Sequence, residues 1–141
     1  MAKHIQTGKL GESVACKFLK DKKFSIICRN YRKKWGEIDI IAVKKNVLYF
    51  IEVKTVSRNL SVSQMGMDKK GKYRAEDNIH LWKLKRLSRT MQSYLLENKI
   101  PQTADWQFDA ITVSLDENLK KARVHIIKNI IISADNFQYF S

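Results

Sequence analysis

The sequence has little of several features that define common protein classes. It contains two cysteines, Cys16 and Cys28, with no Cys-x-x-Cys motif and no zinc-ligand spacing, so neither a disulfide scaffold nor a cysteine zinc site is indicated. No apolar run approaches the roughly 20 residues that span a bilayer. The N-terminal stretch MAKHIQTGKL has no apolar signal core. We therefore expect a cytoplasmic protein with reduced thiols and no membrane attachment.

Acidic residues are also scarce. The 141 residues include 14 Asp and Glu against 27 Lys and Arg, which gives a formal net charge of +13. A surplus of this size favours encounter with a polyanion, and nucleic acids and anionic membranes are the two common ones. The alternative on charge alone is a basic protein that is merely soluble or associated with ribosomes.

Hydrophobic periodicity predicts two helices and five strands in a single domain over residues 1–141. The helices are expected over residues 8–20 and from residue 79 to the segment around Pro101, the only proline. The strands are expected at residues 24–32, 36–43, 47–53, 106–113 and 122–132. This order suits an α/β fold with a mixed five-stranded sheet and helices on its faces. The polar segment 55–78 lacks periodicity, which predicts a functional or disordered loop.

Charged residues interrupt the second and third strands, within the sequence GEIDIIAVKKNVLYFIEVK at residues 36–54. A two-residue turn at Lys45 and Asn46 would fix the register of a hairpin, so that Asp39 faces Glu52. In the same register Glu37 faces Lys54. Alternation along the strands places the charges on one face, and it places Ile38, Ile40, Ile51 and Val53 on the other.

Two carboxylates that face each other repel unless a cation lies between them. Mg²⁺ or Mn²⁺ suits such a site, because it prefers oxygen ligands, and the ion polarises a phosphodiester. Lys54 lies on the same face as Glu52 and would orient the attacking water or stabilise charge on the phosphate. The alternative is a salt-bridge lattice in which Glu37 pairs with Lys54 and the other acids pair with arginines.

The motifs resemble known proteins when they are taken together. Asp39 followed by Glu52-Val53-Lys54 resembles the PD-(D/E)xK signature of restriction endonucleases and Holliday-junction resolvases. More narrowly, six segments resemble the YraN-like family of uncharacterised bacterial proteins: GKLGESVA (8–15), RNYR (29–32), GEIDIIA (36–42), IEVK (51–54), KLKRL (83–87) and FDAITV (108–113). The resemblance covers nearly the whole chain.

The resemblance implies a restriction-endonuclease-like fold and a nuclease activity. It implies that Asp39 and Glu52 bind the metal together with the backbone carbonyl of Val53, and that Lys54 is the catalytic lysine. It also implies that Glu12, on the first helix, completes the site. Taken alone, a glutamate at this position is more often a solvated helical acid or an early-turn charge favoured by the helix dipole, although the glycine before Glu12 allows the helix to approach a sheet closely.

Basic residues crowd the second helix and the loop before it. Some of them share a helical face and are expected to contact phosphates, with a solvated basic face as the alternative. The candidates are Lys83, Lys85, Arg86 and Arg89 on the helix and Lys72 and Arg74 in the loop. Trp35 and Trp82 are candidates for stacking on bases. Asp109 lies in an alternating strand and is expected to pair with an arginine, not to bind a ligand.

We therefore predict a metal-dependent nuclease that hydrolyses DNA phosphodiester bonds, including those of branched or structured DNA. The alternative is a catalytically silent nucleic-acid-binding module on the same fold, which would bind in a salt-sensitive but metal-independent way. A basic scaffold that meets other proteins through its aromatic C-terminal tail has the least support. A homodimer is compatible with each of these, and the sequence does not indicate one.

Overall fold

Two helices and five strands form the part of the chain that the computed structural model describes, which is residues 2–57, 81–116, 118 and 120–130. The side chains of residues 2–7 and 81–84 are outside this description. Several predicted features therefore lie beyond it: most of the loop at 55–78 with Lys72 and Arg74, the side chains of Trp82 and Lys83, and the aromatic C-terminal tail.

The elements follow the predicted order of helix, three strands, helix and two strands. They are α1 (Ala2–Asp21), β1 (Ser25–Lys33), β2 (Gly36–Lys44), β3 (Val47–Ser57), α2 (Leu81–Glu97), β4 (Asp105–Asp116) and β5 (Lys121–Ile127). The strands form one sheet in the order β1-β2-β3-β4-β5. β3 and β4 are parallel and the other neighbours are antiparallel, which confirms an α/β fold with a mixed five-stranded sheet.

The β2–β3 hairpin has the predicted turn. Lys45 and Asn46 have φ angles of 50° and 65°, and two successive left-handed residues are the signature of a type I′ turn, whose twist matches that of the strands. The predicted register holds from the turn to the pair Ile40–Ile51. β3 is longer than its apolar run, and it continues to Ser57 because β4 supplies parallel partners along its whole length.

The sheet is covered on both faces, each by one helix. On the α1 face the buried residues are Ala15, Cys16, Leu19, Ile40, Ala42, Ile51, Ile111, Val113 and Leu115. On the α2 face they are Ile38, Ile41, Leu48, Phe50, Leu87, Met91, Tyr94 and Phe108. Burial on both faces explains why the central strands are apolar at nearly every position.

Helix α1 starts at Ala2, earlier than its apolar pattern predicts. Leu10 has the helical spacing of Val14 and Phe18, which pack against the core, but it is 53% exposed, because Gly11 is the residue that lies against the sheet. Cys16 is buried, Cys28 is partly buried, and both are free thiols.

Among the residues that the structure describes, neither helix has an apolar stretch of the length needed to span a membrane.

Candidate functional site

The β2–β3 ladder stops just before the two acids that the sequence singles out. Its last pair in this direction is Ile40 with Ile51. Beyond it, Oδ2 of Asp39 accepts a hydrogen bond of 2.7 Å from the backbone N–H of Val53. A side chain thus takes the place of the backbone acceptor that a continued strand pair would provide. The Asp39 carboxylate therefore lies where the two strands part.

Near the point where β2 and β3 separate, β1 and β2 also depart from regular strand geometry. Ile38 packs in the α2 cluster and Ile40 in the α1 cluster, whereas regular alternation puts residues two apart on one face. Between the pairs Arg29–Ile40 and Tyr31–Ile38 lies Asn30, whose φ is 54°. A left-handed residue inside a strand breaks its regular course. The prediction that Ile38 shares a face with Ile40 is therefore wrong.

Glu52 follows Ile51 on β3 and is partly buried. Its charge and the burial of Asp39 are the two largest effects on the Asp39 carboxyl, and together they raise the pKa of Asp39 to about 8. The hydrogen bond from Val53 opposes them, because it favours the ionised form. Asp39 and Glu52 therefore influence each other electrostatically, but the predicted register pair of Asp39 with Glu52 is not part of the ladder, which ends at Ile40 and Ile51.

Helix α1 brings a third acid to this region. A Cβ atom at Gly11 would lie 1.8 Å from Oγ1 of Thr55 on β3, so the helix backbone touches the strand here. The next residue, Glu12, is close enough for its charge to raise the pKa of Asp39 further. Oε1 of Glu12 also lies 3.8 Å from Nη2 of Arg29 on β1. The close approach of the helix to the sheet, which the glycine was expected to allow, is confirmed, and the role of Glu12 in the site stays a prediction.

Glu37 does not face Lys54. It forms a close two-nitrogen contact with Arg32, with Oε2 accepting at 2.8 Å from Nε and lying 2.6 Å from Nη2. The β1–β2 ladder continues to Lys33 and Gly36, whereas the β2–β3 ladder has already ended, and this difference gives Glu37 its partner on β1. The predicted Glu37–Lys54 pair is therefore wrong, and Lys54 is exposed on β3 two residues after Glu52.

The acids near Asp39 do not form a closed cage for an ion. Among the described residues, no group of three or more His, Cys, Asp or Glu side chains is close enough to hold a metal by itself. Mg²⁺, however, usually binds to one or two carboxylates and keeps several waters. Asp39 and Glu52, with a backbone carbonyl such as that of Val53, are the oxygen groups that such a site would use.

The basic residues of α2 surround a cleft next to the β1–β2 turn. The cleft has a volume of about 590 Å³ and is lined by Trp35, Lys85, Arg86, Arg89 and Gln92. The Arg89 guanidinium lies 4.1 Å from the centre of the Trp35 ring. Three of the predicted phosphate contacts, Lys85, Arg86 and Arg89, are thus brought together with one predicted stacking residue.

Two contacts hold Trp35 and the turn against α2. The Trp35 indole N–H donates to Oγ of Ser93 at 3.2 Å. A Cβ atom on Gly36 would lie 2.5 Å from Oγ1 of Thr90 and 3.2 Å from the Arg86 carbonyl oxygen. Because Gly36 starts the strand that carries Asp39, the cleft lies beside the acids along β2.

Sequence reasoning missed Arg29 as a site residue. The Arg29 side chain is 43% exposed, and among the described residues its guanidinium group forms the ion pair with Glu12. The sequence indicated Arg29 only through its position in a strand expected to lie beside the strand of Asp39.

Asp109 was expected to pair with an arginine. Instead, its Oδ1 accepts hydrogen bonds from Gln107 Nε2 at 2.9 Å and from the backbone N–H of Asn129 at 2.8 Å.

Comparison of the sequence with known proteins places the chain in a family. The model of the uncharacterised protein family UPF0102 matches residues 11–113, a span that includes Glu12, Asp39, Glu52 and Lys54. A UPF0102 protein of Campylobacter jejuni subsp. doylei is 41% identical over 109 residues, which are 77% of this chain and 84% of the relative. One of Thermotoga petrophila is 38% identical over 104 residues, 74% of this chain and 84% of the relative. The chain therefore belongs to UPF0102, the YraN-like family of uncharacterised proteins that its motifs resemble.

Proposed function

We propose that this protein is a metal-dependent nuclease that hydrolyses phosphodiester bonds in DNA, including branched or structured DNA. One observation carries the proposal: a partly buried aspartate lies beside a second acid where two strands part. Among the described residues, Asp39 accepts one hydrogen bond, from Val53, and forms no ion pair with Lys or Arg. A salt-bridge lattice therefore does not account for Asp39, and a divalent cation would.

Asp39 and Glu52 would hold Mg²⁺ or Mn²⁺, with the Val53 carbonyl as a third oxygen. Such an ion, when bound, supplies positive charge that polarises a phosphodiester. The Val53 N–H fixes the Asp39 carboxylate through Oδ2 and leaves Oδ1 for a ligand. Glu12 would supply a further acceptor for a water molecule near the ion, and Arg29 limits the movement of Glu12 by their contact at 3.8 Å.

Lys54 would act on the substrate. It is exposed, so its ammonium group can reach a phosphate that approaches the edge where the acids lie. Its position two residues after Glu52 keeps both side chains on one face of β3. A positive group placed there orients the attacking water or stabilises the charge that develops on the phosphate oxygens.

The Trp35 cleft would bind the DNA strand next to the phosphodiester bond that is cut. Lys85, Arg86 and Arg89 line it, and guanidinium and ammonium groups bind phosphates without sequence selectivity. The Trp35 ring adds a flat surface on which a base can stack. DNA that is bent or partly unpaired at the cut would use both features better than a regular duplex does.

Cleavage assays test the proposal. We expect the wild-type protein to nick or cut a member of a panel of duplex, single-stranded, flap and four-way-junction DNAs with Mg²⁺ or Mn²⁺. Asp39→Asn and Lys54→Gln should each lower the rate by at least about a hundredfold, the size expected when a transition-state contact is lost, while DNA binding persists. Lys17→Gln, an exposed site on α1, is the matched control for Lys54→Gln.

A catalytically silent DNA-binding module is the competing function, and it is favoured because the residues that the structure describes contain no group of three acids close enough to hold a metal. It predicts DNA binding that is indifferent to divalent metal and to Asp39. Calorimetric titration with Mn²⁺ separates the two functions. No Mn²⁺ heat that depends on Asp39, together with no cleavage across the panel, would rule out the nuclease and leave the binding module.

A further inference from the structure

Strands β4 and β5 carry a polar surface on the same face of the sheet as α2. Val124 and Ile126 of β5 pack against the α1 cluster, so the alternating residues Arg123 and His125 lie on the opposite face. Both of these residues are exposed. Within the described ranges, the apolar α2 cluster includes no residue of β5. Packing against α2 therefore does not explain Arg123 and His125.

The register of the sheet connects this surface to the candidate metal site. Lys54 on β3 pairs with Thr112 on β4, and Thr112 pairs with His125 on β5. Val53 packs against the α1 cluster, so Lys54 also lies on the α2 face. A row of side chains thus runs across the sheet from Lys54 to His125, and two strand spacings, about 10 Å, separate its ends.

The neighbouring row has a similar character. It consists of Val56, Ser114 and Arg123, which are paired in the same way. Neither row contains an acid, and Lys54, Arg123 and His125 form no ion pair with any residue that the structure describes. Lysine, arginine and serine side chains bind phosphate oxygens, and an imidazole ring donates through an N–H in either charge state. The surface therefore favours a polyanion.

The order of the strands places this surface opposite the Trp35 cleft. Trp35 lies in the turn between β1 and β2, Asp39 lies where β2 and β3 part, and β5 is the other edge of the sheet. A DNA strand that crosses this end of the sheet would meet the basic residues of α2 on one side of the acids. It would meet Arg123 and His125 on the other side.

We propose that Arg123 and His125 bind DNA phosphates on the side of the cut away from the Trp35 cleft. The inference rests on the proposed function for the identity of the substrate, and it adds a second contact region with a defined position. Because each nucleotide of a strand rises about 3.4 Å, the distance of about 10 Å from Lys54 corresponds to about three nucleotides. The substrate must therefore extend beyond the bond that is cut by at least this length.

A scan with neutral methylphosphonate groups tests the position. Wild-type cleavage with Mn²⁺ maps the bond that is cut, and fluorescence anisotropy in a chelator measures the binding of DNAs that carry one methylphosphonate each. We expect the wild-type protein to bind about tenfold more weakly when the phosphate that Arg123 contacts, about three nucleotides from the cut, is neutral. Arg123→Gln should lose the same factor with unmodified DNA and nothing further with that methylphosphonate, because both changes remove one contact.

Three further variants serve as comparisons. Arg123→Lys keeps the charge and should recover most of the affinity that Arg123→Gln loses. Thr112→Val, in the same row as His125, removes a buried hydroxyl that has no hydrogen-bond partner among the described residues, and it should leave DNA binding unchanged. Lys85→Gln should become insensitive to a methylphosphonate on the opposite side of the cut.

The outcomes separate this inference from the proposed function. Unchanged affinity of both Arg123→Gln and His125→Gln for every DNA would overturn the inference, even where the protein cuts DNA. An Arg123 contact on the same side of the cut as the Lys85 contact would also overturn it. Absence of cleavage by a wild-type protein whose DNA binding depends on Arg123 would instead overturn the proposed function and leave this surface as part of a DNA-binding module.

Discussion

At the scale of single residues, Asp39 stands out because nearly everything around it disfavours its charge. Burial and the charges of Glu52, Glu12 and Glu37 all raise its pKa, and only the hydrogen bond from Val53 lowers it. A carboxyl in such surroundings costs stability when it ionises. A bound cation, as the proposed function requires, would reverse this balance and favour the ionised carboxylate.

Replacing Asp39 by asparagine should therefore stabilise the metal-free protein. The folded-state pKa of Asp39, about 8, lies above its ordinary value of 3.8, so the native state holds the proton more tightly than the unfolded chain. The resulting stability is present in full below about pH 4 and is lost as the pH rises towards 8. At pH 8 we expect Asp39→Asn to raise the Tm by about 3 °C or more, roughly 1 kcal/mol at this chain length.

Thermal unfolding in a chelator, followed by circular dichroism at pH 5 and pH 8, measures this effect. Asparagine keeps an oxygen acceptor for the N–H of Val53, so the substitution removes the charge and little else. Asp105→Asn, at an exposed position of β4, is the matched control and should leave the Tm unchanged. A variant no more stable than the wild type at pH 8 would show that Asp39 does not carry unfavourable charge.

At the scale of elements, the site depends on where α1 meets β3. Glu12 lies near Asp39 because the backbone of Gly11 touches Thr55, with no room for a side chain between them. α2 is tied to the other face of the sheet in a similar way, through Gly36 and Thr90. α2 is also linked to β1 by the Tyr31 hydroxyl, which donates to Glu97 at 3.0 Å. Helix placement, more than the hairpin alone, thus assembles the acids and the basic cleft.

A methyl group at Gly11 should separate α1 from β3. Gly11→Ala would put a carbon 1.8 Å from Oγ1 of Thr55, and overpacking of this kind costs about 1–3 kcal/mol. Gly8→Ala is the matched control, since nothing lies within 4 Å of its added carbon and alanine favours a helix by up to about 1 kcal/mol over glycine. We expect urea unfolding to show a loss for Gly11→Ala and no loss for Gly8→Ala.

A second substitution tests the cause. Thr55→Gly removes the three Thr55 atoms nearest to the new methyl group, Oγ1, Cγ2 and Cβ. The double variant Gly11→Ala with Thr55→Gly should therefore recover part of the stability relative to the sum of the single changes. Strict additivity of the two losses would indicate that the Gly11 contact with Thr55 does not position α1.

At the scale of the whole molecule, part of the net charge of +13 is concentrated on one surface. Lys85, Arg86 and Arg89 form a continuous basic wall around the Trp35 cleft, and acids gather at the adjoining end of β2. Under the proposed function, a DNA strand that follows this wall would lead a phosphate towards Asp39. The basic groups would attract the DNA backbone, and the acids would stand at the point where a cation would lie.

Salt should weaken DNA binding through this wall. We expect log K to fall linearly with log salt concentration, and Lys85→Gln or Arg89→Gln should each reduce the slope by about 0.7–0.9, the value of one lost phosphate contact. Fluorescence anisotropy with a labelled four-way junction between 50 and 200 mM NaCl, about the range in which such contacts are lost, measures the slope. Lys17→Gln should leave it unchanged, and equal slopes for all variants would place DNA elsewhere.

Much of the fold followed from local rules. Lys45 and Asn46 form a two-residue turn, and the strands on either side carry the apolar residues of a sheet that is covered on both faces. The hairpin and its register were therefore predictable. The close approach of α1 to the sheet was predictable because Gly11 has no side chain. The face on which Ile38 lies, the partner of Glu37 and the exposure of Leu10 were not predictable, because each depends on contacts between different elements.

The sequence by itself determined the order of the elements, the register of the central hairpin and the presence of two acids near its open end, because these depend on side-chain alternation and on neighbours along the chain. Only the tertiary structure decided that the strands part at Asp39, that Arg32 takes Glu37, and that Trp35 meets Arg89. The physical reason is that each of these contacts is a competition among partners. Its outcome depends on how the helices and the outer strand pack on the sheet, which no local pattern encodes.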